Sequence, residues 1–109
     1  ADGFEKAALD KIGLMPEIFS RYRSTYFQHI FASGYAAGYY SYIWSEVLDS
    51  DAYQAFKEKG DVFDPNLARA FRTKVLERGG SADAMQMYKD FRGREPSVAP
   101  LIEKRGLGN

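Results

Sequence analysis

Three tyrosines in this chain are spaced so that one face of a helix could carry all of them. Tyr35, Tyr39 and Tyr42 stand at positions i, i+4 and i+7, so a helix over this segment would align their phenols. A neutral phenol can donate a hydrogen bond to a peptide carbonyl, or to the oxyanion that develops when a peptide bond is hydrolysed. Aromatic residues at helical spacing are also typical of a packed core. The spacing alone therefore leaves a binding role and a structural role open.

Two glycines, Gly34 and Gly38, bracket the start of this tyrosine segment. Glycine permits a close backbone approach to a ligand and can act as a hinge. We expect these positions to give the segment that freedom.

The single histidine, His29, restricts the chemistry further. With one histidine and no cysteine, the chain cannot supply the common His-rich or Cys-rich sets of zinc ligands. Catalysis by a Ser/His/Asp or Cys/His arrangement would have to run through His29 alone, and a partly buried histidine with a structural role is the alternative. If the protein is an enzyme, we expect this chain to be only part of it. Its start at Ala1, without an initiator Met, is what an excised or processed piece would show.

The composition describes a folded domain without a strong electric field. The chain has 109 residues, 45% of them hydrophobic and 28% charged, and 15 basic residues balance 15 acidic ones. A net charge of zero does not attract nucleic acid or an acidic membrane, so neither is expected as a partner. No apolar run approaches the length of a bilayer span, and no secretory signal opens the chain. The absence of cysteine excludes disulfides and fits a reducing compartment.

Helix start and stop signals follow one another along the whole chain, so we predict an all-α fold. Asp64 followed by Pro65 is typical of a capping residue and a first-turn proline. The segment Asp49–Asp51 offers a cap for a short helix that ends at Gly60, and Ser81 offers another. The predicted helices cover about residues 4–12, 16–32, 35–48, 51–60, 65–79, 81–91 and 97–104.

The loop Arg92–Glu95, which carries two arginines, separates the last two predicted helices. It could bind an anion. An internal ion pair that fixes the loop is the interpretation we favour.

The run from His29 to Leu48, HIFASGYAAGYYSYIWSEVL, closely resembles a signature of the thimet oligopeptidase/neurolysin family of zinc metallopeptidases. The resemblance continues over the whole chain, through segments at 63–64, 78–81, 91–96 and 105–107 that are similar to the family's closing segments in the same order. Among the branches, the chain looks most like a bacterial peptidyl-dipeptidase (dipeptidyl carboxypeptidase), with oligopeptidase A as the near alternative.

The resemblance implies an enzyme of which this chain is one part. Members of the family hold one Zn²⁺ with an HExxH helix and a downstream glutamate, both upstream of the matching segment, and this chain contains no HExxH. Residues 1–109 are then a single helical C-terminal domain of a larger, mostly helical zincin-type peptidase. It would bind no metal itself and would be inert alone. Its implied partners are short peptide substrates and the remainder of the parent polypeptide, in the cytoplasm.

The resemblance also assigns roles to individual residues. Tyr42 is implied to stabilise the tetrahedral oxyanion, and Tyr39 to bond the substrate backbone. His29 and Tyr35 correspond to positions near the bound peptide.

The same resemblance places Gly34 and Gly38 in a substrate-binding loop whose mobility helps the channel to close. Ser33 stands where many relatives have glycine, so we expect this loop to be somewhat stiffer.

Two other functions are compatible with the residues: a non-catalytic peptide-binding module that uses the same tyrosines, and a purely structural helical domain. A stand-alone binder should bind oligopeptides without zinc, and a structural domain should not bind them. A piece of a larger enzyme should instead expose an apolar patch larger than a monomer normally shows, through which it can self-associate.

Overall fold

The computed structural model describes residues 1–108, and every regular element among them is helical, which confirms the predicted all-α class. The chain divides into two compact units, Ala1–Tyr40 and Ser41–Asn109. No helix in the described residues is long and apolar enough to cross a membrane. The assignment of residues 1–109 to one domain of a longer protein stays a prediction.

The first unit contains one α-helix and two short 3₁₀ turns. Helix α1 covers Asp2–Lys11, and the chain turns at Gly13, whose φ of 74° is left-handed. The 3₁₀ turns cover Gln28–Ile30 and Ser33–Tyr35. No side chain in residues 1–40 is buried, so this unit has no apolar core of its own.

The helix predicted over residues 16–32 is wrong, and a carboxylate in α1 gives the reason. Glu5 accepts hydrogen bonds from the backbone N–H and the hydroxyl of Ser24, both at 2.6 Å, and pairs with Arg23 at 3.2 Å. An α-helix would need the same Ser24 N–H for the carbonyl four residues earlier. These bonds from Ser24, assisted by Arg23, also hold the pKa of Glu5 below its usual value.

The second unit contains the remaining four α-helices. Helix α2 covers Ser41–Lys59, and α3 covers Pro65–Phe71 before the chain widens into a π-helical turn over Arg72–Leu76. Helix α4 covers Ala84–Arg92 and α5 covers Ala99–Lys104.

One predicted helix cap of this unit is confirmed and another is wrong. Asp64 accepts a hydrogen bond from the N–H of Leu67 at 2.7 Å, which confirms the predicted cap and first-turn proline. The cap of α4 is Asp83, which accepts from Gln86 at 2.8 Å, so the predicted cap at Ser81 is wrong. Helix α4 thus begins two residues later than a cap at Ser81 would require.

The core of the second unit lies between α2 and α4. Ala52 and Ala55 of α2 are buried with Tyr88 and Phe91 of α4. The ring of Phe71 packs edge-on against Phe91 with 5.1 Å between the centroids, which brings α3 onto the same core. Small residues on α2 let the aromatic rings of α4 approach its backbone closely.

A buried carboxylate lies beside this core. Asp51 of α2 is fully buried and accepts hydrogen bonds from the Tyr88 hydroxyl at 2.7 Å, from Arg92 Nε at 3.2 Å and from Arg94 Nη2 at 2.7 Å. The two other guanidinium nitrogens of Arg92 bind Glu58 at 2.7 and 2.8 Å. The predicted internal ion pair in the Arg92–Glu95 loop is therefore confirmed.

The same contacts explain why the cap predicted at Asp49–Asp51 is wrong. Asp51 faces the interior and binds groups that lie 37 to 43 residues further along the chain. Helix α2 accordingly runs without a break through this segment and ends at Lys59, before Gly60.

Neighbouring groups decide the protonation state of the buried network. Burial raises the pKa of Asp51, but hydrogen bonds from Tyr88 and Arg94 and the charges of Arg92 and Arg94 outweigh it, so the net shift is downward. Burial and the hydrogen bond to Asp51 raise the pKa of Tyr88 well above its usual value. Asp51 is therefore ionised and Tyr88 protonated at neutral pH.

Replacing the buried carboxylate should destabilise the chain. Asp51→Asn removes the buried charge that pairs with Arg92 and Arg94 and accepts a hydrogen bond from the Tyr88 hydroxyl, and we expect the free energy of unfolding to fall by about 3 kcal/mol. Asp49→Asn is the matched control, because Asp49 lies two residues away on the same helix but is exposed. It should cost less than about 1 kcal/mol. Urea unfolding followed by circular dichroism measures both, and equal losses would contradict the assignment.

The network should also make stability depend on pH in the acid range. Because the pKa of Asp51 is lower in the folded than in the unfolded chain, its contribution is complete above the unfolded value of about 4. The contribution is lost as the pH falls from there through the folded pKa. We expect the difference in unfolding free energy between wild type and Asp51→Asn to shrink between pH 5 and pH 2. A difference that stays constant to pH 2 would contradict this account.

Candidate functional site

Five of the six predicted site residues lie in one loop of the first unit, between residues 28 and 40. This loop contains both 3₁₀ turns and ends in a series of turns before α2 begins. The sixth residue, Tyr42, belongs to the second unit.

An aromatic cluster, formed by Tyr22, Phe27, His29, Tyr35 and Tyr39, gathers three of the predicted residues. Tyr39 is central, because its ring centroid lies 5.1 Å from that of Phe27, 5.4 Å from that of His29 and 6.0 Å from that of Tyr35. Tyr22 stacks on Phe27 at 4.8 Å. The structure thus places His29, Tyr35 and Tyr39 together, as a binding role for all three requires.

The aromatic cluster has a half-buried floor and an exposed edge. Tyr22, Phe27 and Tyr39 are half-buried, whereas His29 and Tyr35 are exposed. Edge-to-face and stacked aromatic pairs each contribute about 0.5–1.5 kcal/mol beyond the area that they bury. The cluster can therefore order its own loop while leaving an imidazole and a phenol accessible to a ligand.

Sequence analysis missed Tyr22 and Phe27 as members of this cluster. The high number of aromatic residues before His29 could have indicated the cluster. The prediction of a helix over 16–32 instead assigned this segment to a helix that does not form.

Tyr42 is the second residue of α2, and 58% of its surface is exposed. The next two residues, Ile43 and Trp44, are also more than half exposed. The first turn of α2 therefore presents an accessible phenol on a rigid element, among apolar side chains. A phenol in this setting can donate a hydrogen bond to an oxygen of a bound ligand.

The helix predicted over residues 35–48 forms only from Ser41 onward, so the single helical face of Tyr35, Tyr39 and Tyr42 is wrong. Ala37 has a φ of 55°, a left-handed conformation that no α-helix contains. The chain before Ser41 is consequently folded into turns, and Tyr39 reaches Tyr35 through ring packing rather than through helical stacking.

The left-handed positions in this loop are not the glycines. Ser33 and Ala37 have φ values of 68° and 55°, while Gly34 and Gly38, which follow them directly, are not left-handed. A Cβ on Gly34 would meet nothing within 4 Å, and one on Gly38 would lie 3.8 Å from its nearest neighbour. The strain in the loop thus falls on two residues that have side chains, at about 1 kcal/mol each.

The chemistry available in these residues is that of recognition. Within residues 1–108, no group of three or more His, Asp or Glu side chains is placed to hold a metal ion. Phenols and an imidazole supply hydrogen bonds and aromatic faces, which suit the backbone and side chains of a peptide.

Comparisons with known proteins agree with this chemistry. Residues 4–107 match the family described as Peptidase family M3. The chain is 46% identical over 107 residues to a dipeptidyl carboxypeptidase of Escherichia coli, covering 97% of this chain and 16% of that protein. It is 52% identical over 83 residues to an oligopeptidase A of Haemophilus influenzae, covering 76% of this chain and 12% of that protein. Saccharolysin of Saccharomyces cerevisiae is 40% identical over 83 residues, covering 76% of this chain and 12% of its own length. The chain thus spans about a sixth or less of these relatives.

The backbone geometry of the first unit predicts opposite effects for two identical substitutions. Gly38→Ala should leave stability unchanged or raise it by up to about 1 kcal/mol, because the position is not left-handed and the new methyl group has room. Gly13→Ala should cost about 1 kcal/mol, because φ there is 74° although the space is open. Amide hydrogen exchange in residues 1–40 measures both. Faster exchange in Gly38→Ala than in Gly13→Ala would contradict the described loop.

Proposed function

Because this chain belongs to peptidase family M3, we propose that it is the C-terminal, substrate-binding part of a zinc metallopeptidase that hydrolyses short peptides. The observation that carries the proposal is the match over residues 4–107, together with 46% identity to a dipeptidyl carboxypeptidase over almost the whole chain. The aromatic cluster and the exposed phenol of Tyr42 support it, since phenols and an imidazole can form hydrogen bonds to a peptide.

In this proposal the tyrosines act at different moments of the reaction. Tyr39, with His29 and Tyr35 at the exposed edge of the aromatic cluster, binds the backbone of the peptide before and during the reaction. Tyr42 donates a hydrogen bond to the oxygen of the scissile carbonyl as that oxygen becomes negative. A donor fixed where charge develops lowers the energy of the transition state more than that of the bound substrate.

Gly34 and Gly38 belong to the same binding loop in this proposal. The loop adapts to the peptide, and its left-handed neighbours Ser33 and Ala37 make it stiffer than a loop with glycine at those positions.

The metal and the general base come from elsewhere in the parent polypeptide. The donor set described here does not fit zinc, because its side chains are phenols and a single imidazole, and residues 1–108 offer no cluster of metal-binding groups. This chain alone would accordingly be inert. We place the complete peptidase in the cytoplasm, in line with a relative named a probable cytosolic oligopeptidase A.

Exposed apolar side chains in both units support a role within a larger protein. Phe4 and Phe19 of the first unit are 77% and 82% exposed, and Phe63 of the second is 86% exposed. A first unit without one buried side chain cannot gain much from burial by itself. We propose that the remainder of the parent polypeptide covers these side chains, and that the isolated chain self-associates through them.

The oxyanion role predicts a specific kinetic defect. Tyr42→Phe in the complete peptidase should lower kcat by about 10²–10³-fold, with little change in KM or in zinc content, because the lost hydrogen bond forms mainly in the transition state. Hydrolysis of a short peptide followed by product separation, with zinc measured on the same preparation, gives all three quantities.

Tyr53→Phe is the matched control for this experiment. Tyr53 lies on the same helix and is 57% exposed, against 58% for Tyr42, so removal of its hydroxyl should leave kcat unchanged. A Tyr42→Phe enzyme with the kcat of the wild type would overturn the oxyanion role.

A further inference from the structure

We propose that Asp51 is a positioning residue for Tyr42: its buried contacts fix the axis of α2 and thereby the place of the phenol at the first turn of that helix. The inference rests on the proposed function, because it concerns a residue that acts through Tyr42. The buried network around Asp51 takes no part in the proposed chemistry of the tyrosines, and positioning gives it a role.

The first turn of α2 is exposed, whereas most of its middle is buried or half-buried. Residues 41–45 and Asp49 are exposed, Glu46 to Leu48 are half-buried, and Ser50 to Ala52 are buried. Asp51 accepts hydrogen bonds from three side chains, two of them on α4 and one in the loop that follows α4. The first turn thus projects from a helix whose position is set near its centre.

A second set of ion pairs on α2 lies nearer to Tyr42, but these pairs are more exposed. Glu46 of α2 pairs with Arg105 and Lys104 at the end of α5, with 30% of the Glu46 side chain and about half of each basic side chain accessible. Exposed ion pairs are screened by solvent and contribute little to rigidity. Among the ion pairs of α2, those made by the fully buried carboxylate are therefore the least screened by solvent.

The geometry of a helix converts a small rotation at Asp51 into a displacement at Tyr42. The two residues are nine positions apart, which is about 13 Å along the axis at 1.5 Å per residue. A tilt of about 5° at Asp51 would move the first turn by roughly 1 Å. A misplacement of this size can lower a rate about 10²-fold.

The contacts of Asp51 come from different directions, so they can restrict both the tilt and the rotation of α2. Tyr88 reaches Asp51 Oδ2 from α4, and its hydroxyl also lies 3.2 Å from the carbonyl of Leu48, one turn earlier on α2. Arg94 binds the other carboxylate oxygen from the loop after α4. Contacts on both oxygens and on an adjacent turn restrict rotation of α2 about its own axis as well as its tilt.

A double-mutant cycle in the complete peptidase tests the inference. Asp51→Asn, Tyr42→Phe and the double variant are compared with the wild type, and kcat is expressed per zinc-loaded, folded molecule. We expect Asp51→Asn alone to lower kcat by about 10- to 100-fold with KM changed less than about threefold. In the Tyr42→Phe background the same change should lower kcat by less than about threefold, because the phenol hydroxyl that it misplaces is already absent. Asp49→Asn should leave kcat unchanged in both backgrounds.

The outcomes separate this inference from the proposed function. If Asp51→Asn lowers kcat equally in both backgrounds, or leaves it unchanged in the wild-type background, Asp51 does not act through Tyr42 and the inference fails while the oxyanion role stands. If Tyr42→Phe itself has no effect, the oxyanion role fails, and the inference fails with it. If Asp51→Asn does not fold, Tyr88→Phe replaces it in the same cycle. This variant removes one hydrogen bond from Asp51, so it should show the same dependence on Tyr42 with a smaller loss, and its absence would overturn the inference.

Discussion

A carboxylate without access to water must be neutralised by its surroundings, and this requirement organises the second unit. Asp51 is fully buried, so the helix that carries it must lie where cationic and hydroxyl groups can reach both of its oxygens. Tyr88 and Arg92 supply such groups from one face of α4. Arg94 supplies the third from beyond the helix, because Gly93 takes a left-handed conformation with a φ of 78° and turns the chain back. One side chain of α2 thus binds both α4 and the loop that follows it.

The first unit is organised by weaker constraints. Its elements are held by a half-buried carboxylate, Glu5, and by an aromatic cluster in which no ring is buried. Regions with few buried contacts open locally at low free-energy cost, and binding loops are commonly drawn from such regions. The residues proposed to bind the peptide backbone therefore lie in the unit for which we expect local opening at the lower free-energy cost.

The sequence predicts the features of this fold that depend on neighbouring residues. The cap at Asp64 and the helix end at Gly60 were predictable, because each needs only a local conformation or a side chain three residues away. The cap predicted at Asp49–Asp51 failed because the partners of Asp51 lie about 40 residues later. The helix over 16–32 failed in the same way, since Glu5 binds the backbone of Ser24 from 19 positions earlier.

The candidate site shows the same limit. The resemblance to a peptidase family predicts the site residues, and the structure places three of them, His29, Tyr35 and Tyr39, together. The periodicity suggested a helical face for Tyr35, Tyr39 and Tyr42 that does not exist, because a left-handed conformation at Ala37 precedes the start of α2. Residue types could be read from the sequence, whereas the backbone that presents them could not.

The proposed roles of Tyr39 in binding and of Tyr42 in catalysis differ in how accurately each phenol must be placed. A group that binds peptides of varied sequence gains from a loop that adjusts, because its hydrogen bonds to the backbone can form in many poses. A donor to a transition-state oxyanion must instead be held within about 0.5 Å of its productive position, and rigid elements provide this better than loops. Tyr39 lies in turns, whereas Tyr42 lies on a 19-residue helix that carries the buried carboxylate of Asp51. The boundary between adaptable and rigid backbone, at Tyr40 and Ser41, is therefore also the boundary between binding and catalysis in the proposed function.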